Sequence, residues 1–525
     1  MQRYFHKKFS RRYIVLIFTT LVFFGLPINL IQNKKLNYLL IERLIQGNIL
    51  NLVIQRWDHF SAGKKNFPSV HIKMKPNDFV QLTKSEKNPL WSNAYLEKDN
   101  GFLKIEIKKR GFHFYHWMGK KKSLRIKHDN QSYILMNYKW PSYFTEIFAG
   151  HFAKQLNLLN ESENMIHLYI NKRYQGLYHL IQDFDDSFLE KHGMRLGPIY
   201  SYDNYSYKSG EFFNPYLWEN SQKNYHWLPL DDLLNCIQKS CTELLTYIQV
   251  RDFINFYNLT ELIGSSHRDA FHNHKLYYDP FEKKFSPIVW DLGYLRNDAE
   301  VLQSKNPISQ KLLQNSFFRY IRIESLKQLM SNELSLQKLQ SFLKRLLVKI
   351  KFDFKYDYLM GTDRAFIWKD IKDQENKIRN LLAERNQKIT RSLSQFDVSL
   401  ERHSKNDLLV IKGKGLYKIK EIFGNGHFTL NTEKIDWEEI AALMANTIED
   451  NELVYSRDRT IIHEKFGIRY LPSALKFEGR ISKIEIENLF SGETKILEPI
   501  TVSEEKYKEA SILWKDDLKS NIKSL

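Results

Sequence analysis

The chain has 525 residues, of which 42% are apolar, 14% aromatic and 27% charged. This globular composition excludes disordered, collagenous and low-complexity classes and leaves length for several domains. Basic residues number 79 against 61 acidic ones, a net charge of +18 that favours anionic partners without choosing among phosphoryl groups, acidic protein, lipid headgroups and nucleic acid. The only cysteines, Cys236 and Cys241, are too few for a disulfide framework or a Cys-rich zinc site.

Residues 1–12 form a basic tail, with Arg3, Lys7, Lys8, Arg11 and Arg12. Tyr13 to Ile31 is an uncharged, mostly apolar run long enough to cross a bilayer as a helix. The positive-inside bias keeps the N-terminus cytoplasmic and places the main domain outside. A cleaved signal peptide, giving a secreted protein, is the competing reading, and it lacks a small-x-small cleavage site at the expected distance. Residues 32–65 read as a juxtamembrane helix and linker, with Leu36, Leu40, Leu44, Leu50 and Ile54 at helical spacing.

Period-two alternation over Val70–Lys75, Leu103–Lys108 and Ser123–Lys127 predicts antiparallel strands. Phe144–Leu156 reads as a helix, and His167–Ile170 with Gly176–Leu180 as a hairpin around Asn171-Lys172-Arg173. Phe253–Ile263 is helical, and Lys275–Tyr278 and Phe285–Trp290 are short strands joined through Asp279-Pro280. Helical patterns then dominate through Leu312–Ile350 and Ile371–Phe396. From Asp407 to about Val502 the alternation returns, predicting a separate β-rich module that includes a Gly424-Asn425-Gly426 turn and a strand at Phe428–Leu430. Cys236 and Cys241 would lie about 140° apart on a helix, which argues against a bridge within one helix and leaves pairing in a loop open.

The chemically informative stretch is Ser265-Ser266-His267-Arg268-Asp269-Ala270-Phe271-His272-Asn273-His274, followed across a hairpin by Trp290-Asp291-Leu292-Gly293. Phosphoryl transfer uses one carboxylate to orient the attacking hydroxyl and a second, with an amide oxygen, to hold Mg²⁺ on the phosphates. The default alternative makes Asp269 and Asp291 a helix-terminus carboxylate and a turn cap. His267, His272 and His274 match no common zinc spacing. Basic and aromatic residues interleave over Phe112–Lys122, but no RNA- or DNA-binding module accompanies them, so no nucleic-acid partner is expected.

Over roughly residues 66 to 400 the sequence resembles the CotH kinase family, the atypical kinases typified by spore coat protein H. The resemblance is carried in order by Val70–Leu82, Arg110-Gly111 with Trp117, Lys121–Lys127, Tyr169-Ile170-Asn171 with Tyr174–Tyr178, Arg268-Asp269 with Asn273, and Trp290-Asp291. It implies an α+β, atypical protein-kinase-like two-lobed fold, with an N-lobe over 66–182 and a C-lobe over 183–402. The transmembrane helix over 13–31 precedes it, and the C-terminal β-rich module and tail over 403–525 follow it.

The resemblance further implies a kinase that uses ATP and Mg²⁺ or Mn²⁺ to phosphorylate Ser or Thr hydroxyls of a protein substrate, here at the cell envelope. Asp269, with Arg268, takes the catalytic role, and Asp291 and Asn273 the metal-binding role. Lys127 is the candidate phosphate-contacting lysine, and Arg110 and Lys122 cover the phosphates in the absence of a Gly-x-Gly-x-x-Gly loop. Gln182 stands where the family usually carries a glutamate, and Gly293 where it often has a second acid. Those departures define the alternatives: an inactive kinase-like envelope scaffold binding a protein or anionic polymer, or a kinase acting on a glycan or lipid.

Overall fold

The computed structural model describes residues 66–504 apart from several segments, the longest being 203–210, 266–272, 293–299, 358–367 and 425–473. The expected membrane helix and juxtamembrane segment, and the strand expected at 428–430, lie outside the described residues. Among the described residues no helix is long and apolar enough to cross a membrane.

The first unit is a closed seven-stranded barrel. Its strands are β1 (Ser69–Met74), β2 (Ser92–Lys98), β3 (Gly101–Lys109), β4 (Leu124–His128), β5 (Gln131–Met136), β6 (Met165–Ile170) and β7 (Arg173–Gln182), in the order β1-β2-β3-β4-β5-β7-β6. Neighbours are antiparallel except β1 and β6, whose parallel pairing sets Val70 against Leu168 and closes the ring. Alternation sends Ile72, Ile105, Ile107, Leu124, Ile126, Leu135, Leu168 and Ile170 inward as one apolar cluster. Helix α1 (Pro76–Thr83) follows β1 and contributes Leu82 to that cluster. The β6–β7 hairpin turns on Asn171 and Lys172, both at positive φ (51° and 64°), which suits a primed two-residue turn with Asn at its first central position.

The outer face of β5 and β7 carries Ile134 and Ile181 into the larger core, against α2 (Ser142–Gln155) through Ile147, Phe148 and Phe152. After the short α3 (Asp186–Lys191), the second unit holds a sheet of order β11-β10-β8-β9, built from β8 (Ile199–Tyr202), β9 (Glu219–Asn220), β10 (His274–Asp279) and β11 (Lys284–Pro287). Around it lie α4 (Leu228–Lys239), α5 (Val250–Ile263), α6 (Pro307–Gln314), α7 (Ser316–Ser331), α8 (Leu336–Tyr356) and α9 (Trp368–Ser394). Strand β11 stops at Pro287, short of the Trp290 end that its apolar run suggests, because the Val289 N–H leaves β10 for Leu159 O at 2.7 Å. Cys236, on α4, is disulfide-bonded. The chain's one other cysteine, Cys241, lies outside the described residues.

The last unit begins at Val398, ahead of the alternation that becomes visible at Asp407. It comprises β12 (Val398–His403), β13 (Asn406–Ile411), β14 (Tyr417–Gly424), β15 (Ala474–Phe477), β16 (Ile481–Asn488), β17 (Thr494–Leu497) and β18 (Pro499–Thr501). They form sheets of order β15-β13-β12-β18 and β14-β16-β17 over a core of Leu400, Leu409, Tyr417, Ile481, Ile484 and Ile486. The unit is seated on the helices: Lys327 Nζ donates to Leu489 O (2.6 Å), Asn488 Nδ2 donates to Leu393 O (2.9 Å), and Leu489 and Phe490 pack on the main core.

Candidate active site

Helix α5 ends at Gly264, whose left-handed φ of 67° is the usual glycine C-cap. The next residue, Ser265, donates its hydroxyl to Leu292 O at 2.6 Å. The Leu292 N–H points to Glu146 Oε2 of α2 at 3.3 Å, and Glu146 is only 3% exposed. The residue that enters 266–272 is therefore tied to the Asp291 segment. Ser265 leads into that stretch and is bonded to Asp291's neighbour, while Asn273 leads out of it into β10.

The hairpin completes the arrangement. Leu276 pairs with Pro287, and Ile288 N donates to Lys275 O at 3.0 Å, which ties the chain two residues after Asn273 to the segment three residues before Asp291. Val289 N–H is also bonded to Leu159 O at 2.7 Å, fixing the strand's exit against the α2 connection. Asn273 (φ 64°) and Asp291 (φ 44°) both adopt left-handed backbone, a sparsely populated conformation that Asn and Asp tolerate best and that concentrates at functional sites. Asn273 is buried and Asp291 partly exposed.

Opposite them the barrel presents cations. Arg125, on the outer face of β4, pairs with Asp183 immediately after β7, and its Nε–H is buried without a hydrogen-bond partner among the described residues. Burial and then the Arg110 charge lower the Arg125 pKa, partly offset by Glu219 and Asp185. Lys108, the cross-strand neighbour of Arg125, is likewise lowered by burial and by the charges of Arg125 and Arg110. Arg110 lies over the Trp290 ring at 5.7 Å from its centroid. Lys275 sits 4.6 Å from the Phe184 ring centroid and 5.4 Å from that of Trp290, and donates to Ser201 Oγ at 2.9 Å. Three neighbouring cations whose charges oppose one another, one with an unused N–H, form a wall that an anion would relieve.

The residues singled out from sequence fall as follows. Arg110 lies over the ring of Trp290, which Asp291 follows, while Asn273 sits buried at the start of β10. Lys122 is buried, and its pKa is lowered by burial and by the Lys109 charge. Arg268 and Asp269 lie outside the described residues, between the two tied ends. Lys127, read as the phosphate-contacting lysine, is exposed near the β4–β5 turn, and Arg125, two residues earlier on the same face, is the residue of β4 that joins Lys108 and Arg110 in the cationic wall. Gln182 is buried but committed elsewhere: its amide donates to Ser187 Oγ (2.7 Å), which donates to Asp185 Oδ1 (2.7 Å), the N-cap of α3. Reading the sequence misses Arg125, Glu146 and Lys275. The alternation of Leu124-Arg125-Ile126 places Arg125 outside the barrel, but nothing local marks Glu146 or Lys275.

Among the described residues no three His, Cys, Asp or Glu side chains gather as a metal group. Asp291 and Asn273 nonetheless offer a carboxylate and an amide oxygen, the donor type of a hard divalent cation that completes its shell with waters and phosphate oxygens.

A barrel lobe set against a helical lobe, with a carboxylate, an amide and a cationic wall where they meet, describes a kinase-like protein of the α+β class. The family model for CotH kinase protein matches residues 103–389, more than half of the sequence, and the chain belongs to that family. No curated protein matches. Among solved structures, a proinflammatory kinase, CtkA, of Helicobacter pylori is 15% identical, with 53% of this chain and 91% of that one covered, at a TM-score of 0.23. That superposition is too slight to bear on the site.

Proposed function

We propose that the protein is an ATP-dependent kinase that transfers the γ-phosphoryl group to Ser or Thr hydroxyls of a protein substrate at the cell envelope. The observation that carries this reading is the tying of both ends of the Asp269 stretch to the Asp291 segment, across from the wall of Arg110, Arg125 and Lys108. The family membership supports the reaction class.

In this reading the cations hold the polyphosphate, with Arg125 offering its Nε–H and Arg110 braced on Trp290. Asp269 accepts the proton of the acceptor hydroxyl as its oxygen bonds to the γ-phosphorus and the bond to the bridging oxygen breaks, releasing ADP. Asp291 and Asn273 would hold Mg²⁺ or Mn²⁺, which when bound supplies neutralisation of phosphate charge. Glu146 fixes Asp291 through the Leu292 N–H.

An extracytoplasmic domain, anchored through 13–31, is supported by the Cys236 disulfide, since such bonds persist in oxidising compartments. Gln182 favours the second reading, an inactive envelope scaffold, because the position that usually bears an acid is spent on a helix cap.

The test is label transfer from γ-labelled ATP to a degenerate Ser/Thr peptide library, comparing wild type with Asp269→Asn. Transfer in the wild type, reduced about 100-fold or more in the variant at unchanged melting temperature, is expected. Absence of transfer to peptide, with ATP still bound, would favour the scaffold reading or a non-protein acceptor.

A further inference from the structure

Asp357 follows the last residue of α8 and is fully buried against the barrel. Its Oδ2 accepts from Lys121 Nζ at 2.7 Å and from the Leu177 N–H at 2.8 Å. The Lys121 ammonium also donates to Leu177 O and lies 5.0 Å from the Tyr178 ring centroid. Burial lowers the Lys121 pKa and Asp357 opposes the shift, so the two form a dry pair joining the helical lobe to β7.

The close approach depends on Gly176, at φ 120°. A Cβ there would stand 2.7 Å from Lys121 Cε and 3.2 Å from Asp357 Oδ1. One helical turn earlier, Asp353 Oδ1 accepts from the N–H groups of Asn66 (2.9 Å) and Phe67 (3.1 Å) and meets His167 Nε2 at 2.9 Å. Spaced i,i+4, the two carboxylates clasp the barrel side by side.

The pinned residue opens the segment that feeds the cationic wall. Lys121 O accepts from Asn137 Nδ2 (2.9 Å), Ser123 Oγ accepts from Asn137 N–H (2.9 Å), and Ser123 O accepts from the N–H of Arg110 (2.8 Å). Fixing Lys121 thus fixes the backbone of Arg110 and the entry to β4, and with them the placement of Arg110 and Arg125. Burying two charges costs about what their pairing returns, so stability alone does not account for a fully buried lysine and aspartate here.

We infer that Asp357 is a positioning residue of the nucleotide site: through Lys121 it sets Arg110 and Arg125 for the phosphates, coupling the helical lobe to the barrel's anion-binding wall. This rests on the kinase reading above.

The test titrates full-length protein with ATP and Mg²⁺ by calorimetry and measures melting, KM and kcat for wild type, Lys121→Met/Asp357→Asn and the double variant Lys121→Met/Asp357→Leu. The double variant replaces the pair with apolar volume and is expected to melt near wild type. It should bind ATP about tenfold more weakly and raise KM more than it lowers kcat, because misplaced phosphate contacts weaken binding. Wild-type affinity in the double variant, with melting preserved, would overturn the inference. Should the double variant not fold, Lys121→Met/Asp357→Asn, which leaves no unpaired buried charge and keeps an amide oxygen for the Leu177 N–H, gives the same reading: weakened ATP binding at preserved melting supports the inference, and unchanged binding overturns it. Failure of the kinase reading shows separately, as no ATP binding by the wild type, and overturns this inference with it.

Discussion

Arg125 and Lys127 illustrate what one residue's surroundings decide. Both occupy the outward face of β4, and the alternating pattern treats them alike. Asp183, 58 positions further on, separates them by pairing with Arg125 alone, and a contact at that distance leaves no local signal. Asp291 and Asn273 stand out in the sequence through the order of motifs shared with the family, whereas their left-handed backbone is visible only in the fold. His151 shows how a titrating group enters stability. Its ring stacks on Phe342 at 3.8 Å, and its pKa is lowered from 6.5 by burial and by the charges of Arg345 and Lys154. Below pH 6.5 the unfolded chain takes up a proton that the folded histidine resists, so this contribution to stability is present at higher pH and is lost as pH falls through the histidine range. His151→Phe, which keeps the stacked ring, should flatten the pH dependence of melting between pH 5 and about 7. An unchanged slope would show that other groups set it.

Elements were easier to read than their contacts. The helices from Phe253 and Ile371 and the barrel's alternating strands appear at nearly their observed bounds, since each has one face against a core. The closure of the barrel through β1 and β6 has no sequence signature, because parallel pairing depends on register between distant strands. Nor does the cluster that joins three helices. Glu261 of α5, 7% exposed, accepts from Arg322 Nη2 of α7 (2.9 Å) and from Arg385 of α9. In sequence all three look like members of solvated helix faces. Two buried arginines share the Glu261 carboxylate, so Glu261→Gln is expected to destabilise by about 3–5 kcal/mol in a denaturant titration. A loss below about 1 kcal/mol would mean that water reaches the cluster, as at exposed pairs.

At the scale of the molecule, one apolar core runs from α2 through α9, and the barrel and the last β unit are seated against it. The two-lobed kinase-like plan was expected from the order of motifs, since that order reflects the chain's path past the site. Where the last β unit begins was less legible, because Val398–His403 carries four polar or charged residues and reads as strand only when paired with β13. Helix α8 is the element that ties scales together: its interior lines the core, and Asp353 and Asp357 at its end hold the barrel whose cations face Asp291. The net charge of +18, diffuse in the sequence, gains a local cluster where Lys108, Arg110 and Arg125 neighbour one another.

The central claim, a metal-dependent nucleotide site at Asp291, is tested most directly by calorimetric titration of the full-length protein in detergent with ATP, with and without Mg²⁺ or Mn²⁺, beside Asp291→Ala. The account predicts ATP binding that requires the metal and is lost in the variant while its melting temperature stays near wild type. No binding under any metal condition, or equal binding by Asp291→Ala, would contradict it.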